Sequence, residues 1–376
     1  MKRILRKIHL WLSVPFGLII TITCLSGAAL VFEEEITALC RPELHRIEHP
    51  GSEPLPMGQI LRSARQTLPS GTDIAGISIP HDPDKPWRVN LTKPHRASLS
   101  VNPYTGEVLG RNERLPFFNF MFRAHRWLLD GSRSVGKTVV GTSTMVFAFI
   151  LLTGLALWWP RRRRAIKSGL TISTRKGMRR FWFDLHNAGG FYALLLLLVM
   201  ALTGLTWSFG WYRSAFYRLF GAEVQAAASK PSGKQDRSRK AENNGMKGKH
   251  QDRSGQQPDF TQWEKVYKQL RDRHTDYRQI TISEGTASVS GARWGNQRAA
   301  DRYAFQPKTG RLTEATPYAE AKTANKLRGW IYSVHVGNWG GWLTRILWFC
   351  AALIGASLPL TGYYLWWKRT RKKGCA

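Results

Sequence analysis

Four stretches of the chain, near 10–32, 138–159, 187–209 and 342–367, stay apolar for the ~20 residues a helix needs to cross a bilayer. No other feature restricts the fold as strongly. In hydrocarbon every backbone N–H and C=O must find its partner inside the protein, and a spanning segment of this length achieves that as a helix. The expected fold is an α-helical integral membrane protein, a four-span bundle. Basic clusters near the span ends orient it. These are MKRILRK at the start, a loop running from Arg161-Arg162-Arg163-Arg164 to Arg179-Arg180, and Lys368-Arg369-Thr370-Arg371-Lys372-Lys373 at the end. All three belong on the cytoplasmic side, leaving 33–137 and 210–341 outside. The formal charge of +31 therefore reads as a topology signal, and no nucleic-acid partner is expected. The first run is long and has a later counterpart, so it reads as a retained span rather than a cleaved signal peptide.

The runs are not independent of one another. KIHLWLSVPFGLIITITCLSGAALVF opens on His9, and DLHNAGGFYALLLLLVMALTGLTW on His186. In each, a Ser/Thr-Gly pair follows at the same spacing: Ser26-Gly27 and Thr203-Gly204. Each half then passes through polar sequence to a second histidine, His125 or His335. Each closes on a matching signature, Thr153-Gly154-Leu155-Ala156-Leu157-Trp158-Trp159 or Thr361-Gly362-Tyr363-Tyr364-Leu365-Trp366-Trp367. Self-similarity on this scale points to a tandem duplication.

The external regions repeat too. The first predicts a helix over 57–68, with Ile60, Leu61, Ala64 and Leu68 on one face, and strands near 74–79, 87–91 and 97–102. Asn102-Pro103-Tyr104-Thr105-Gly106 then reads as a turn. The second holds a polar, flexible insertion at 222–258. A helix over 260–272 follows, with strands near 278–282 and 286–290, then RYAFQ and a turn at Gln306–Gly310. The expected plan is a first span (1–32), a small α+β domain (33–116), a histidine segment with the second span (117–160) and a basic loop (161–182). Then come the third span (183–209), a second α+β domain (210–326), a histidine segment with the fourth span (327–367) and a basic tail (368–376).

His125 cannot share a straight helix with Trp159, since the interval would measure about 50 Å at roughly 1.5 Å per residue. FFNFMFRAHRWLL is thus a separate segment at the outer surface, broken by Asp130-Gly131-Ser132, and His335 lies in a similar segment, LRGWIYSVHVGNWGGW. The histidines fall into two pairs at two depths, His9 with His186 and His125 with His335. A lone histidine at a membrane interface is usually a tolerated polar group. Four at matching positions of two repeats are functional candidates. Iron held by two imidazoles between helices is the arrangement of a b-type haem, so all four are expected as iron ligands of two haems. Gly27 and Gly204 each lie 18 residues beyond their histidine, about five turns, so they share its face about 27 Å further along. They would leave room for a macrocycle at the outer level, and Gly154 and Gly362 would do so at the inner. Arg123, Arg126, Arg328 and Arg345 flank the outer histidines and suit haem propionates or an anionic substrate. The four cysteines form no CxxC or CxxCH, which excludes covalent c-type haem, and no structural disulfide is expected. Zinc or copper would want acidic or thiol ligands that do not accompany these histidines. His45, His49, His81, His95, His250 and His274 carry no assignment.

These residues, with the turns at Pro103–Gly106 and Pro307–Gly310, resemble the PepSY-associated transmembrane family of iron-regulated inner-membrane proteins. The resemblance spans nearly the whole chain. It implies two PepSY-like periplasmic domains, and a bacterial inner (plasma) membrane location with both termini cytoplasmic. Better understood members are similar to di-haem reductases that release iron from ferric siderophores. The expected activity is therefore that of a ferric-siderophore oxidoreductase. Electrons would pass from quinol or a separate reductase, through two haem b groups, to a ferric siderophore or other ferric chelate. The chain has no GxGxxG after a strand with which to take electrons from a nicotinamide itself. A haem-free regulator or accessory subunit, binding a peptide, protease or transporter, is the alternative from another class. A siderophore permease is the third, and it lacks the broken helices and buried charges transport needs. The insertion at 222–258 departs from the family pattern.

Overall fold

The computed structural model describes residues 2–94, 97–160, 164–223, 260–291 and 295–371. Nearly all of the 222–258 insertion, Arg161–Arg163, His95, His250 and the tail from Lys372 lie outside these residues.

The chain opens with α1 (Lys2–Leu30) and α2 (Glu33–Cys40), then α3 (Met57–Gln66). Four strands follow: β1 (Ile74–Pro80), β2 (Trp87–Leu91), β3 (Ser98–Val101) and β4 (Val108–Asn112). α4 (Pro116–Trp127) leads into α5 (Val135–Trp158). Beyond α6 (Arg164–Leu170), α7 (Met178–Asp184), a π turn at Leu185–Gly189 and α8 (Gly190–Ser208) run on as one rod. The second half repeats the order of the first. α9 (Gly210–Leu219) and α10 (Thr261–Arg273) precede β5 (Gln279–Ser283), β6 (Thr286–Ser290), β7 (Asp301–Phe305) and β8 (Leu312–Thr316). α11 (Thr323–Val336) and α12 (Gly341–Arg371) close it. Among the described residues, four helices are long and apolar enough to cross a membrane: Lys2–Leu30, Val135–Trp158, Met178–Ser208 and Gly341–Arg371. The chain is a multi-pass helical membrane protein.

The spans form a ring in which α1 packs on α5 and α12, and α8 packs on α5 and α12. Ile20, Phe147, Leu151, Leu197, Ala201 and Ala351 fill its centre. Trp11, Leu18, Phe149, Leu195 and Leu343 point outward, the pattern of a bundle whose solvent is lipid. Small residues allow close helix approach, as expected without a hydrophobic drive between helices. A Cβ on Gly355 would come within 2.7 Å of Leu197 Cδ2. The Tyr363 hydroxyl lies over Gly17 and donates to the Val14 carbonyl at 2.7 Å. Lys2 donates to the Trp159 carbonyl at 2.9 Å, so the start of α1 and the end of α5 share the basic end of the bundle.

Beyond the opposite end, the strands join in one antiparallel sheet, ordered β4-β3-β2-β1-β5-β6-β7-β8. The order reads alike from either edge. Its middle is the β1–β5 pair, registered from Gly76↔Ser283 to Pro80↔Gln279. The two α+β units expected as separate domains therefore share a sheet. They share a core as well: Ile60 and Leu61 of α3 and Val266 and Leu270 of α10 bury it together with Ile77, Ile79, Val89, Ile280 and Ile282. Gly76 permits the seam, because a Cβ there would meet the Ile282 carbonyl at 2.5 Å. β4 and β8, the two edges, were not expected from the sequence. β4 is half-buried, β8 is exposed at three of its five positions, and neither carries a regular apolar alternation.

The outer helices stop where the sequence implies. α4 ends in left-handed residues Leu128 (φ 48°) and Leu129 (φ 66°). Asp130 then accepts from the Gly136 N–H at 2.9 Å and the Ser132 N–H at 3.0 Å, satisfying donors at the start of α5. α11 ends at Gly337 (φ 75°), which lies against Trp348, and Thr344 donates to its carbonyl at 2.6 Å. The break ahead of the second span thus falls where Asp130-Gly131-Ser132 suggests.

Candidate functional site

Each of the four histidines lies against a span that is not its own, and each meets the same local feature. His9 of α1 contacts α5, with Nδ1 at 2.9 Å from Thr153 Oγ1. His186, in the π turn below α8, contacts α12, with Nδ1 at 2.9 Å from Thr361 Oγ1 and 3.1 Å from the Leu358 carbonyl. His335 of α11 contacts α8 through Thr203 Oγ1 at 3.0 Å and the Met200 carbonyl at 3.1 Å. His125 of α4 contacts α1 through the Thr23 carbonyl at 2.8 Å.

These contacts assign the tautomer. A carbonyl only accepts, so the Nδ1 facing it carries the proton and Nε2 carries the lone pair. The same holds for His9. Thr153 donates its hydroxyl proton to the Ile150 carbonyl at 2.9 Å, so toward the imidazole it accepts. All four rings are thus held in the form in which Nε2 can bind a metal, with Nδ1–H fixed by a second partner.

The glycines sit beneath the rings. A Cβ on Gly154 would lie 3.4 Å from His9 Cε1, and one on Gly362 3.6 Å from His186 Cε1. At the other level, a Cβ on Gly27 would lie 2.9 Å from His125 Cε1, and one on Gly204 3.1 Å from His335 Cε1. The sequence suggests these glycines as gaps for a macrocycle; in the structure each gap faces the edge of an imidazole instead. Gly27 lies on the face of α1 that receives His125, about 27 Å along the helix from His9.

The structure brings His125 and His335 together, with ring centres 6.2 Å apart and planes inclined at 55°. An ion held between two imidazole nitrogens at about 2.0–2.1 Å, each nitrogen roughly 1.1 Å from its ring centre, would separate the centres by about 6.3 Å. The 6.2 Å between the outer rings is close to that collinear separation. His9 and His186 are likewise near each other at the other level. Among the described residues no three of His, Cys, Asp and Glu gather into a metal-binding cluster. A bare zinc ion asks for three or four protein ligands. A macrocycle that brings four equatorial nitrogens asks for two, and two is what each level offers.

The arginines divide. Arg126 lies within electrostatic reach of both outer imidazoles and over the Trp127 ring. Arg123 and Arg328 are exposed. Arg345 is engaged elsewhere: it pairs with both carboxylate oxygens of Glu35, donates to the Val31 carbonyl, and stacks on Phe32 and Trp342. Hydrogen bonding to Arg345 holds the Glu35 carboxyl below its ordinary value. Trp207, unassigned in the sequence, meets the His335 ring edge-on at 5.1 Å. The hydroxyls ahead of the glycines were also unassigned, though their recurrence in each Ser/Thr-Gly pair was a visible signal.

A family model described as the PepSY-associated TM region matches residues 6–369. Comparison with curated proteins finds no match.

Proposed function

The chain belongs to the PepSY-associated TM family, and from that premise we propose that it is a di-haem b electron-transfer protein of the bacterial inner membrane that reduces ferric iron in periplasmic chelates. The observation that carries this reading is the fourfold arrangement of imidazoles, each with Nδ1 bonded to a neighbouring span and Cε1 over a glycine. His9 and His186 would hold one haem near the basic end, and His125 and His335 a second near the sheet. The basic end faces the cytoplasm in this reading, and the sheet, as two PepSY-like units from a tandem duplication, faces the periplasm. Haem iron bound there would supply one-electron chemistry.

The protein's own part is positioning. The spans fix two ligand pairs about 21 Å apart in depth, judged from the 14 residues of α1 between His9 and Thr23. The lipid-facing side chains keep the sites dry. Arg126 places positive charge beside the outer pair, where propionates or an anionic ferric chelate would need it. Ferric iron held by hard oxygen donors is released on reduction, so an outward path for electrons suffices for the activity. The donor in this reading is quinol or a separate reductase, and the substrate a ferric siderophore or similar chelate.

Single substitutions of the four histidines by Ala test it. His9→Ala and His186→Ala should each remove the same haem, while His125→Ala and His335→Ala remove the other. The count is made by pyridine assay and the level identified by spectrum. Any other grouping, or four variants spectrally like the parent, contradicts the reading.

A further inference from the structure

The Ser/Thr that precedes each glycine is the recurring element that the two-haem reading leaves without a role. On three spans it does the same thing. The hydroxyls of Thr153, Thr203 and Thr361 lie 2.9, 3.0 and 2.9 Å from the Nδ1 atoms of His9, His335 and His186. Each hydroxyl also donates back into its own helix: Thr153 to the Ile150 carbonyl, Thr203 to those of Val199 and Met200 at 2.6 and 3.1 Å, and Thr361 to those of Ser357 and Leu358 at 3.0 and 2.9 Å. Common to all three is the carbonyl three residues earlier, that of Ile150, Met200 or Leu358. That same carbonyl faces the imidazole in each case. The unit is thus a five-residue stretch of helix, a carbonyl, a hydroxyl three residues on, and then the glycine that admits the ring. Because the hydroxyl proton is spent on its own helix, its lone pair is the part left to receive Nδ1–H.

The first-half outer site departs from this. Ser26 makes the same bonds to its own helix, to the Ile22 and Thr23 carbonyls at 2.6 and 3.1 Å, but among the described residues His125 bonds the Thr23 carbonyl and not the Ser26 hydroxyl. His335 keeps both acceptors. The two outer ligands thus have unequal surroundings.

We propose that Thr153, Thr203 and Thr361 are positioning residues that accept the Nδ1 proton of an iron-ligating histidine, and so set the strength of that ligand, while Ser26 has no such role. The proposal rests on the di-haem reading. An acceptor on Nδ1–H orients the ring and raises the basicity of Nε2, which favours ferric over ferrous iron. Removing it weakens the ligand, and second partners of this kind are typically worth about 10–100-fold in affinity. Valine matches threonine in shape and lacks the hydroxyl. Serine keeps the hydroxyl and loses the methyl.

The test uses the full chain purified in detergent, as parent and as Thr153→Val, Thr203→Val, Thr361→Val, the three Thr→Ser variants and Ser26→Ala. Two quantities are read: the rate of haem transfer to excess apomyoglobin, and the potentiometric titration of each haem. Thr203→Val should speed loss of the outer haem about tenfold or more and raise its potential, leaving the inner haem unchanged. Thr153→Val and Thr361→Val should do the same to the inner haem alone. The Ser variants should return both quantities to the parent's values, and Ser26→Ala should match the parent. If a Val variant does not accumulate, the corresponding Ala variant replaces it with the same expectation. Val variants indistinguishable from the parent would overturn the proposal, as would Ser variants that fail to restore. Ser26→Ala behaving like the three Thr variants would overturn it too, since the effect would then be one of packing. A parent that binds no haem removes the di-haem reading itself, an outcome separate from all of these.

Discussion

The two histidine levels are built differently. At the basic end the histidines ride on the membrane-crossing rods: His9 within α1, and His186 in the π turn that continues into α8. At the sheet end they ride on short helices, α4 and α11, which return to the bundle through left-handed turns at Leu128 and Gly337. The inner site depends on span packing alone. The outer site depends as well on two loops and on the fit of two extra helices. The glycine contacts reflect this, at 3.4 and 3.6 Å for the inner rings against 2.9 and 3.1 Å for the outer.

That difference can be broken most directly by filling the notches. Gly27→Leu and Gly204→Leu should expel the outer imidazoles and leave one haem per chain. Gly154→Leu and Gly362→Leu should leave the other one. An outer haem that remains, spectrally unchanged, in Gly27→Leu would end the argument from the notches. A methyl group sharpens the comparison. Gly27→Ala should lower outer haem occupancy, because a Cβ at 2.9 Å from a ring carbon forces a shift, whereas Gly362→Ala at 3.6 Å meets ordinary contact and should keep a full inner haem. Equal occupancy in the two Ala variants would remove the contrast.

Loosening the turn ahead of α5 is a smaller intervention. Asp130→Ala takes away the acceptor for the Ser132 and Gly136 N–H groups, and should raise protease cleavage near 128–134 and outer haem loss without touching the inner haem. The smallest effect is expected at the tie between α2 and α12. Glu35 has its carboxyl depressed below the ordinary 4.5 by Arg345, so the tie's contribution is complete above about pH 4.5 and fades as pH falls through the lower folded value. Glu35→Gln should lower the thermal midpoint at pH 7, by an amount reflecting roughly 1–2 kcal/mol, and should cancel that part of the acid dependence. Parallel pH profiles for parent and variant would contradict the assignment.

Much of this was legible beforehand, for physical reasons. The spans read from about 10–32 and 342–367 appear as Lys2–Leu30 and Gly341–Arg371, because lipid leaves a long apolar run few alternatives to a helix. The helix read at 57–68 appears as Met57–Gln66, and the strand at 87–91 as Trp87–Leu91, each carried by a one-sided apolar pattern. That His125 lies on its own helix followed from length alone. Other features depend on contacts far apart in sequence. Nothing local announces that Gly76 will pair with Ser283 and merge two sheets into one. Arg345, near His335 in the chain, finds Glu35 from the first half instead. The hydroxyls of Thr153, Thr203 and Thr361 were visible as a repeat, but their use required knowing which nitrogen of each histidine they meet.

In the proposed reading the bundle holds two bis-histidine haems. The most direct test is a reduced-minus-oxidised absorption spectrum of the full chain, purified in detergent from haem-competent cells, with haem counted per chain. Two low-spin b-type haems per chain are predicted. A chain that is folded and free of haem would contradict the account.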